Sequence, residues 1–287
     1  MKITTLIENT GDDEGLLKNE HGLSFFIETS HGNILFDTGQ SGDFIENAEK
    51  MNIDLRTTDK VILSHSHYDH CRGLKRLFNT FEINTNVVLG KNFFLNRERY
   101  RYVTKDEKDL YLKYGKYKFI GIDFDEEYLK SKKAEVSYVS EKMMKINDEI
   151  YVFSNFERIH EKEKENRNMM IKVSEDKFVT DKFDDEICIG VKCDYGLIIL
   201  LGCSHPGILN IIDSIRKVSG ERIIGIIGGT HLIKSNEERI EETAEYLKKL
   251  DLKFIGLSHC TGEKAVRIIN KKCKNIFSNK TGSIIEF

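Results

Sequence analysis

The stretch VILSHSHYDHCRGL at residues 61–74 decides the reading of this chain. Val61, Ile62 and Leu63 form an apolar, β-branched run that reads as a buried strand. His65, His67, Asp69 and His70 follow within six residues, and a helix-like segment covers 71–78. On extended backbone, residues two apart share a face, so His65 and His67 point the same way. Asp69 and His70 come after the chain has left the strand and aim at a second point nearby. Three imidazoles and one carboxylate suit a borderline divalent ion such as zinc, manganese or iron. Two ligand pairs with different directions imply two ions. Solvated histidines at a polar strand end are the bland alternative, which this density outweighs in a chain with nine His.

The same logic of strand followed by histidine recurs further on. The apolar run 196–201 leads into Gly202-Cys203-Ser204-His205-Pro206-Gly207. Pro206 favours extended backbone at His205 and suits the first turn of a helix over 207–218. His205 thus stands where the carboxyl edge of a sheet meets solvent, a place ligands favour. The run 223–227 ends in Gly228-Gly229-Thr230-His231-Leu232, whose glycines permit close backbone approach. His231 reads as an active-site residue that is not a ligand. The run 252–257 delivers Ser258-His259-Cys260-Thr261-Gly262, with a helix over 263–270. His259 reads as the sixth ligand, and Thr261 and Gly262 offer backbone N–H groups to a substrate anion.

His65-x-His67-x-Asp69-His70 after a buried strand resembles the signature of the metallo-β-lactamase fold superfamily, and the resemblance covers most of the chain. The motifs at 202–207, 228–232 and 259–262 resemble one branch of it. That branch is typified by the 7,8-dihydropterin-6-yl-methyl-4-(β-D-ribofuranosyl)aminobenzene 5′-phosphate synthases. The resemblance implies an α/β (α+β) class fold, an αββα sandwich: two facing mixed sheets, helices outside, metals at one edge. It implies a first metal on His65, His67 and His205 and a second on Asp69, His70 and His259. The matching Asp in the superfamily hydrogen-bonds metal-site groups from behind, which nominates Asp37. Cys203 stands where many members carry a bridging Asp; it reads either as a thiolate ligand or as buried packing. Asp69 is also expected to hold the nucleophile's proton.

The expected function is a dinuclear metal-dependent hydrolase or transferase acting on a phosphorylated small molecule of pterin-like kind. The expected cofactors are two divalent ions, zinc ahead of manganese or iron. Alternatives are a metallohydrolase of thioesters, lactones or phosphodiesters, a di-iron redox protein, and a non-catalytic metal-binding module.

Composition bounds the rest. The chain has 287 residues, 39% hydrophobic and 32% charged, with net charge −3. That suits one domain over 1–287 and gives no reason to expect nucleic acid. No apolar run approaches a membrane span, and the N-terminus lacks a signal-peptide core, so a cytoplasmic location is expected. The six Cys read as free thiols.

Residues 2–7 read as an edge strand, and 22–29 with 33–37 as a hairpin. His21 and His31 read as surface residues. A short helix over 41–51 shows an apolar face at Phe44, Ala48 and Met51. Residues 91–140 form a charged yet aromatic-rich insertion, read as a small core of its own, as a lid, or as a surface for a homo-oligomer. Residues 136–139, 150–153, 169–173 and 187–191 read as strands of the second sheet. The charged run 157–167 holds His160 and reads as a solvated face. Asp184-Asp185-Glu186 reads first as a turn. Ser235 and Glu238 form a capping box, and 274–279 and 283–287 close the sheet.

Overall fold

The computed structural model describes residues 1–163 and 168–287. One sheet is built from β1 (Lys2–Ile7), β2 (Ser24–Thr29), β3 (Gly32–Phe36), β4 (Thr58–Ile62), β5 (Asn86–Gly90), β8 (Glu135–Val139) and β18 (Ile284–Glu286). Its spatial order is β18-β1-β2-β3-β4-β5-β8. A second sheet uses β9 (Met143–Lys145), β10 (Ile150–Phe153), β13 (Cys188–Cys193), β14 (Gly196–Leu201), β15 (Ile223–Gly229), β16 (Phe254–Ser258) and β17 (Ile276–Ser278). It runs β17-β16-β15-β14-β13-β10-β9. A smaller sheet, β12-β11-β6-β7, comprises β6 (Arg99–Tyr102), β7 (Tyr117–Phe119), β11 (Met169–Ser174) and β12 (Lys177–Thr180).

The period of two along each strand explains the layers. Leu197, Ile199 and Leu201 of β14 face α6 (Ile208–Ser219), α7 (Glu237–Lys249) and α8 (Glu263–Lys272). Ile198 and Leu200 face the other sheet. There they meet a core that includes Phe25, Phe36, Ile62 and Val88 from the first sheet. The outer face of that sheet packs on α1 (Phe44–Lys50), α3 (Gly73–Thr80) and α5 (Glu126–Ser131). Both faces of each sheet are therefore covered, which is why the central strands read as unbroken apolar runs. The layers are α, β, β, α, as expected.

Several local expectations are corrected. β1 is not an edge strand, because β18 pairs with it through Ile3 and Ile285. β8 belongs to the first sheet, parallel to β5, and not to the second. β11 leaves the second sheet to join β6 and β12. Residues 91–140 therefore do not form one self-contained body. Their β6 and β7, joined through α4 (Lys108–Tyr114), depend on residues 169–180, and Tyr117 stacks on Phe178 at 3.8 Å between ring centres. Asn236, not Ser235, caps α7 by accepting the amide of Arg239. Gly207 is the N-cap of α6, so Pro206 lies before the first turn. No helix among the described residues is long and apolar enough to cross a membrane.

Candidate metal centre and its cavity

The carboxyl ends of β3, β4, β14, β15 and β16 converge at one edge where the two sheets meet. Asp37 leaves β3, the segment Ser64–His70 leaves β4 through α2 (Tyr68–Cys71), and Cys203 and His205 follow β14. His231 follows β15 and His259 follows β16. The backbone there is constrained: Asp37, Phe183, Ser204, His231 and His259 have φ of 60°, 50°, 64°, 50° and 53°. Left-handed backbone at residues other than glycine costs on the order of 1–3 kcal/mol and gathers at functional sites. At Gly202 an added Cβ would collide with the Ser64 hydroxyl. At Gly229 it would lie 2.6 Å from Cys260 Sγ.

Among the described residues, ligating atoms gather at this edge in several overlapping groups, which include His65/His67/His205, Cys203/His205/His231 and His21/Asp69/His259; two neighbouring clusters bear on the expected sets. In the first, one ring nitrogen each of His65, His67 and His205 lie within 4.8 Å of one another. His65 Nε2 and His67 Nδ1 are 2.9 Å apart. In the second, His70 Nε2 is 3.2 Å from His259 Nε2 and 3.2 Å from Cys203 Sγ. Asp69 Oδ2 is 3.5 Å from His259 Nε2. Burial, with neighbouring imidazoles and Arg99 adding to it, holds His65, His67 and His205 well below the ordinary histidine range. They are therefore neutral, the form that binds a metal. Burial alone would lower His70 as well, but the Asp37 carboxylate overrides it and lifts His70 to about 9.

The donor set tests whether ions fit. Among the described residues, His67 Nε2 and both ring nitrogens of His205 are buried without a hydrogen-bond partner. A buried polar atom left unmade costs about 1–3 kcal/mol. The neutral imidazoles of His65, His67 and His205, aimed at a shared point, are the chemistry a divalent ion completes, whereas His70 must give up its proton to join a carboxylate and a thiol as a ligand. The six residues expected as ligands are all brought to this edge.

Behind them lies a second layer of polar contacts. His70 Nδ1 is 2.6 Å from Asp37 Oδ2, and Asp37 Oδ1 accepts the amide of Ser64 at 2.7 Å. The Asp37 carboxylate is thus placed to orient the His70 ring. Glu8 accepts the amide of His259, and Asn9 Oδ1 is 2.9 Å from His259 Nδ1. Glu186 accepts the amides of Ser204 at 2.6 Å and His205 at 3.0 Å. Burial, then Asp185, pushes Glu186 up to about 8. Phe183 stacks on His205 at 3.8 Å between ring centres, and the Arg99 guanidinium lies 4.8 Å from the centre of the Phe183 ring.

Several of these residues escape a linear reading. Asp184 and Asp185 do form a turn, closed by the Glu186 amide on Phe183 O, but Asp185 and Glu186 are buried there, and Asp185 accepts from Ser66 and Arg99. Acids directly ahead of a buried strand were the available signal. His21 is at the surface, as read, yet its Nε2 is 3.0 Å from Asp69 Oδ2, and that contact raises it above the ordinary range. Thr261 and Gly262 do not reach the cavity. The Thr261 side chain is fully buried, donating to Ser258 O at 2.8 Å and accepting from Thr230 at 3.1 Å. Gly262 is the N-cap of α8 against Ile233. His160 bonds Asp213 at 2.7 Å, away from the centre, and His31 bonds Glu149 at the surface.

The metallo-β-lactamase superfamily model matches residues 18–137. Over the whole chain, 31% of residues are identical to the 7,8-dihydropterin-6-methyl-4-(β-D-ribofuranosyl)-aminobenzene-5′-phosphate synthase of Methanocaldococcus jannaschii, 97% of which is covered. The chain belongs to the metallo-β-lactamase superfamily. Within it, the uncharacterized protein MJ0448 of the same organism is also 31% identical, over 99% of each chain. Among solved structures of the superfamily, Tm1679, described as a metal-dependent hydrolase, superimposes with a TM-score of 0.83 at 28% identity. That match covers 100% of this chain and 99% of Tm1679.

The centre opens into a cavity of about 300 Å³. His67, Asp69, Cys203, His205, His231, His259 and Cys260 line one part of it, and Tyr68, Arg101, Lys118, Ile120, Ile233 and Lys234 line another. His231 sits 4.2 Å from the His205 ring, with its amide on Cys260 Sγ at 3.3 Å.

Proposed function

We propose that this protein is a metal-dependent enzyme that holds two divalent ions, zinc ahead of manganese or iron, and acts on a phosphorylated small molecule. The observation that carries the proposal is the pair of adjoining ligand groups, His65/His67/His205 and Asp69/His70/His259, opening on one cavity. Cys203 adjoins the second group and is a further candidate ligand there. Bound at these residues, the ions supply Lewis acidity that polarises a phosphoryl oxygen and acidifies a water.

The chain's own groups complete the chemistry. Asp69, ionised through its contacts with His21 and His259, can accept a proton from a nucleophile brought to the cavity. His231, on the cavity wall beside His205, is placed to hold or pass a proton to a leaving group. Tyr68 offers a flat wall for an aromatic ring such as a pterin. The name of the synthase relative supports a substrate with a phosphate and a pterin. The Tm1679 description supports hydrolysis, which differs only in whether water or another acceptor attacks.

Elemental analysis, followed by turnover of phosphorylated pterins and sugars with and without an amine acceptor, tests the proposal. About two ions per chain, lost in His67→Ala and His259→Ala together with turnover, is the expected result. Full stoichiometry in either variant refutes the ligand assignment. Release of phosphate or pyrophosphate only when the acceptor is present favours transfer over hydrolysis.

A further inference from the structure

On the cavity wall contributed by the small sheet, like charges stand together. Arg101 of β6 and Lys118 of β7 are direct cross-strand partners. Directly opposed residues share a face with Cβ atoms about 5 Å apart, and like charges there destabilise the pair. The side chain of Arg101 is only 17% exposed. Lys234, from the loop after His231, enters the same cavity. Burial, then the nearby Arg101, pushes its ammonium below the ordinary lysine range. Glu107 pairs with Arg101 and also acts on Lys234. Lys118 instead lies 5.9 Å from the ring centre of Tyr68 and 5.1 Å from that of Tyr114. Among the described residues, three cations and one carboxylate leave two positive charges on a half-buried wall.

We propose that Arg101, Lys118 and Lys234 form the seat for a phosphate group of the substrate, in the same cavity as the His/Asp centre. A phosphate monoester carries about −1.5 to −2 charge at neutral pH, which matches the excess. Arg101 offers a planar fork of donors and the lysines offer point charges, the usual partition for phosphate. This deepens the reading of the centre as catalytic and rests on it for the identity of the reacting end. The seat holds the non-reacting phosphate while the bond to be broken lies at the metal ligands.

The sheet that carries the seat is tied to the ligand loop. Arg99 precedes Arg101 on the same strand by two residues and donates to Ser66 Oγ at 2.7 Å. Ser66 lies between His65 and His67, so seat and ligands are held in register through one buried guanidinium.

The test is calorimetric titration of the metal-loaded protein with ribose 5-phosphate and with ribose. Wild type, Arg101→Met, Lys118→Met, Lys234→Met and Asp69→Ala are compared, each with its metal content measured and its folding checked by melting. The expected result is binding of ribose 5-phosphate over ribose, weakened tenfold or more in each cation variant at unchanged metal content. Weakening should be smaller in Asp69→Ala than in the cation variants. The proposal is overturned if wild type shows no preference for the phosphorylated sugar, or if all three cation variants bind within twofold of wild type. It is also overturned if Asp69→Ala alone abolishes binding, since the ions would then hold the phosphate. Loss of binding in the cation variants with no turnover of any phosphorylated substrate by wild type would sink the catalytic reading and leave the seat standing.

Discussion

Arg99 is the side chain whose removal should be most costly and most informative. It is fully buried, as are Asp181 and Asp185. Its Nε donates to Asp181 Oδ2 at 2.5 Å, and its Nη2 to Asp185 Oδ1 at 2.5 Å. Its Nη1 donates to Ser66 Oγ at 2.7 Å and to Asp185 Oδ2 at 2.9 Å. Arg99→Met keeps much of the volume but strands two carboxylates away from water. Removing one partner of a buried pair costs about 3–5 kcal/mol, which for a chain this size lowers the melting temperature by on the order of 10 °C. The pH dependence gives a second check. Burial already holds Asp181 above the ordinary carboxylate range with Arg99 in place, and losing the guanidinium raises it further. A carboxyl whose folded pKa is raised loses stability as pH rises through that pKa. The deficit of Arg99→Met against wild type should therefore be smallest near pH 5 and grow toward pH 8. Melting of both proteins across this range, with metal content recorded, is the assay. A deficit below about 1 kcal/mol at pH 8, or one that does not change with pH, would refute the claim that the cluster's energetics rest on uncompensated buried charge. Asp181→Asn and Asp185→Asn added to Arg99→Met should recover part of the loss, because no stranded charge then remains.

Asp37→Ala should weaken metal binding roughly 10–100-fold, the usual effect of losing a carboxylate that orients a ligating histidine; metal-chelator competition measures it, and unchanged affinity would mean His70 needs no such partner. Gly202→Ala should destabilise the fold, because its methyl group meets the Ser64 hydroxyl, itself held by Asp37 at 2.8 Å; a melting temperature equal to wild type would show that the loop simply shifts. Glu163 accepts the amides of Leu209 and Asn210 at 3.1 and 2.9 Å, and burial holds its pKa above the ordinary value. A raised carboxyl stabilises most at low pH, so Glu163→Gln should gain on wild type between pH 5 and pH 8; denaturation curves at both values decide, and a constant difference refutes the shift.

What the linear chain determined is local and periodic. Apolar runs at 61–63, 196–201, 223–227 and 252–257, the last interrupted by Lys253 and Gly256, mark buried strands, and each leads into a histidine-bearing loop. That pattern nominated the ligand candidates, because strand alternation and strand-end position are set by backbone geometry, while the layered fold was implied by the family resemblance, with which buried strands alternating with helices agree. What only the tertiary structure decided is everything that depends on which strands become neighbours. Glu8 and Asn9 reach His259 across some 250 positions of sequence, since β1 and β16 end at the same edge. His21 meets Asp69, and the acids Asp181 and Asp185 meet Arg99, only because loops from separate elements close over one centre. Thr261 and Gly262 look like an anion-binding helix start in sequence, yet packing turns them inward. Arg101 and Lys118 are unremarkable charges in a charged segment until strand register sets them face to face. Local spacing reports the period of a strand, whereas charge pairing and burial are properties of neighbours that the chain brings together only when it folds.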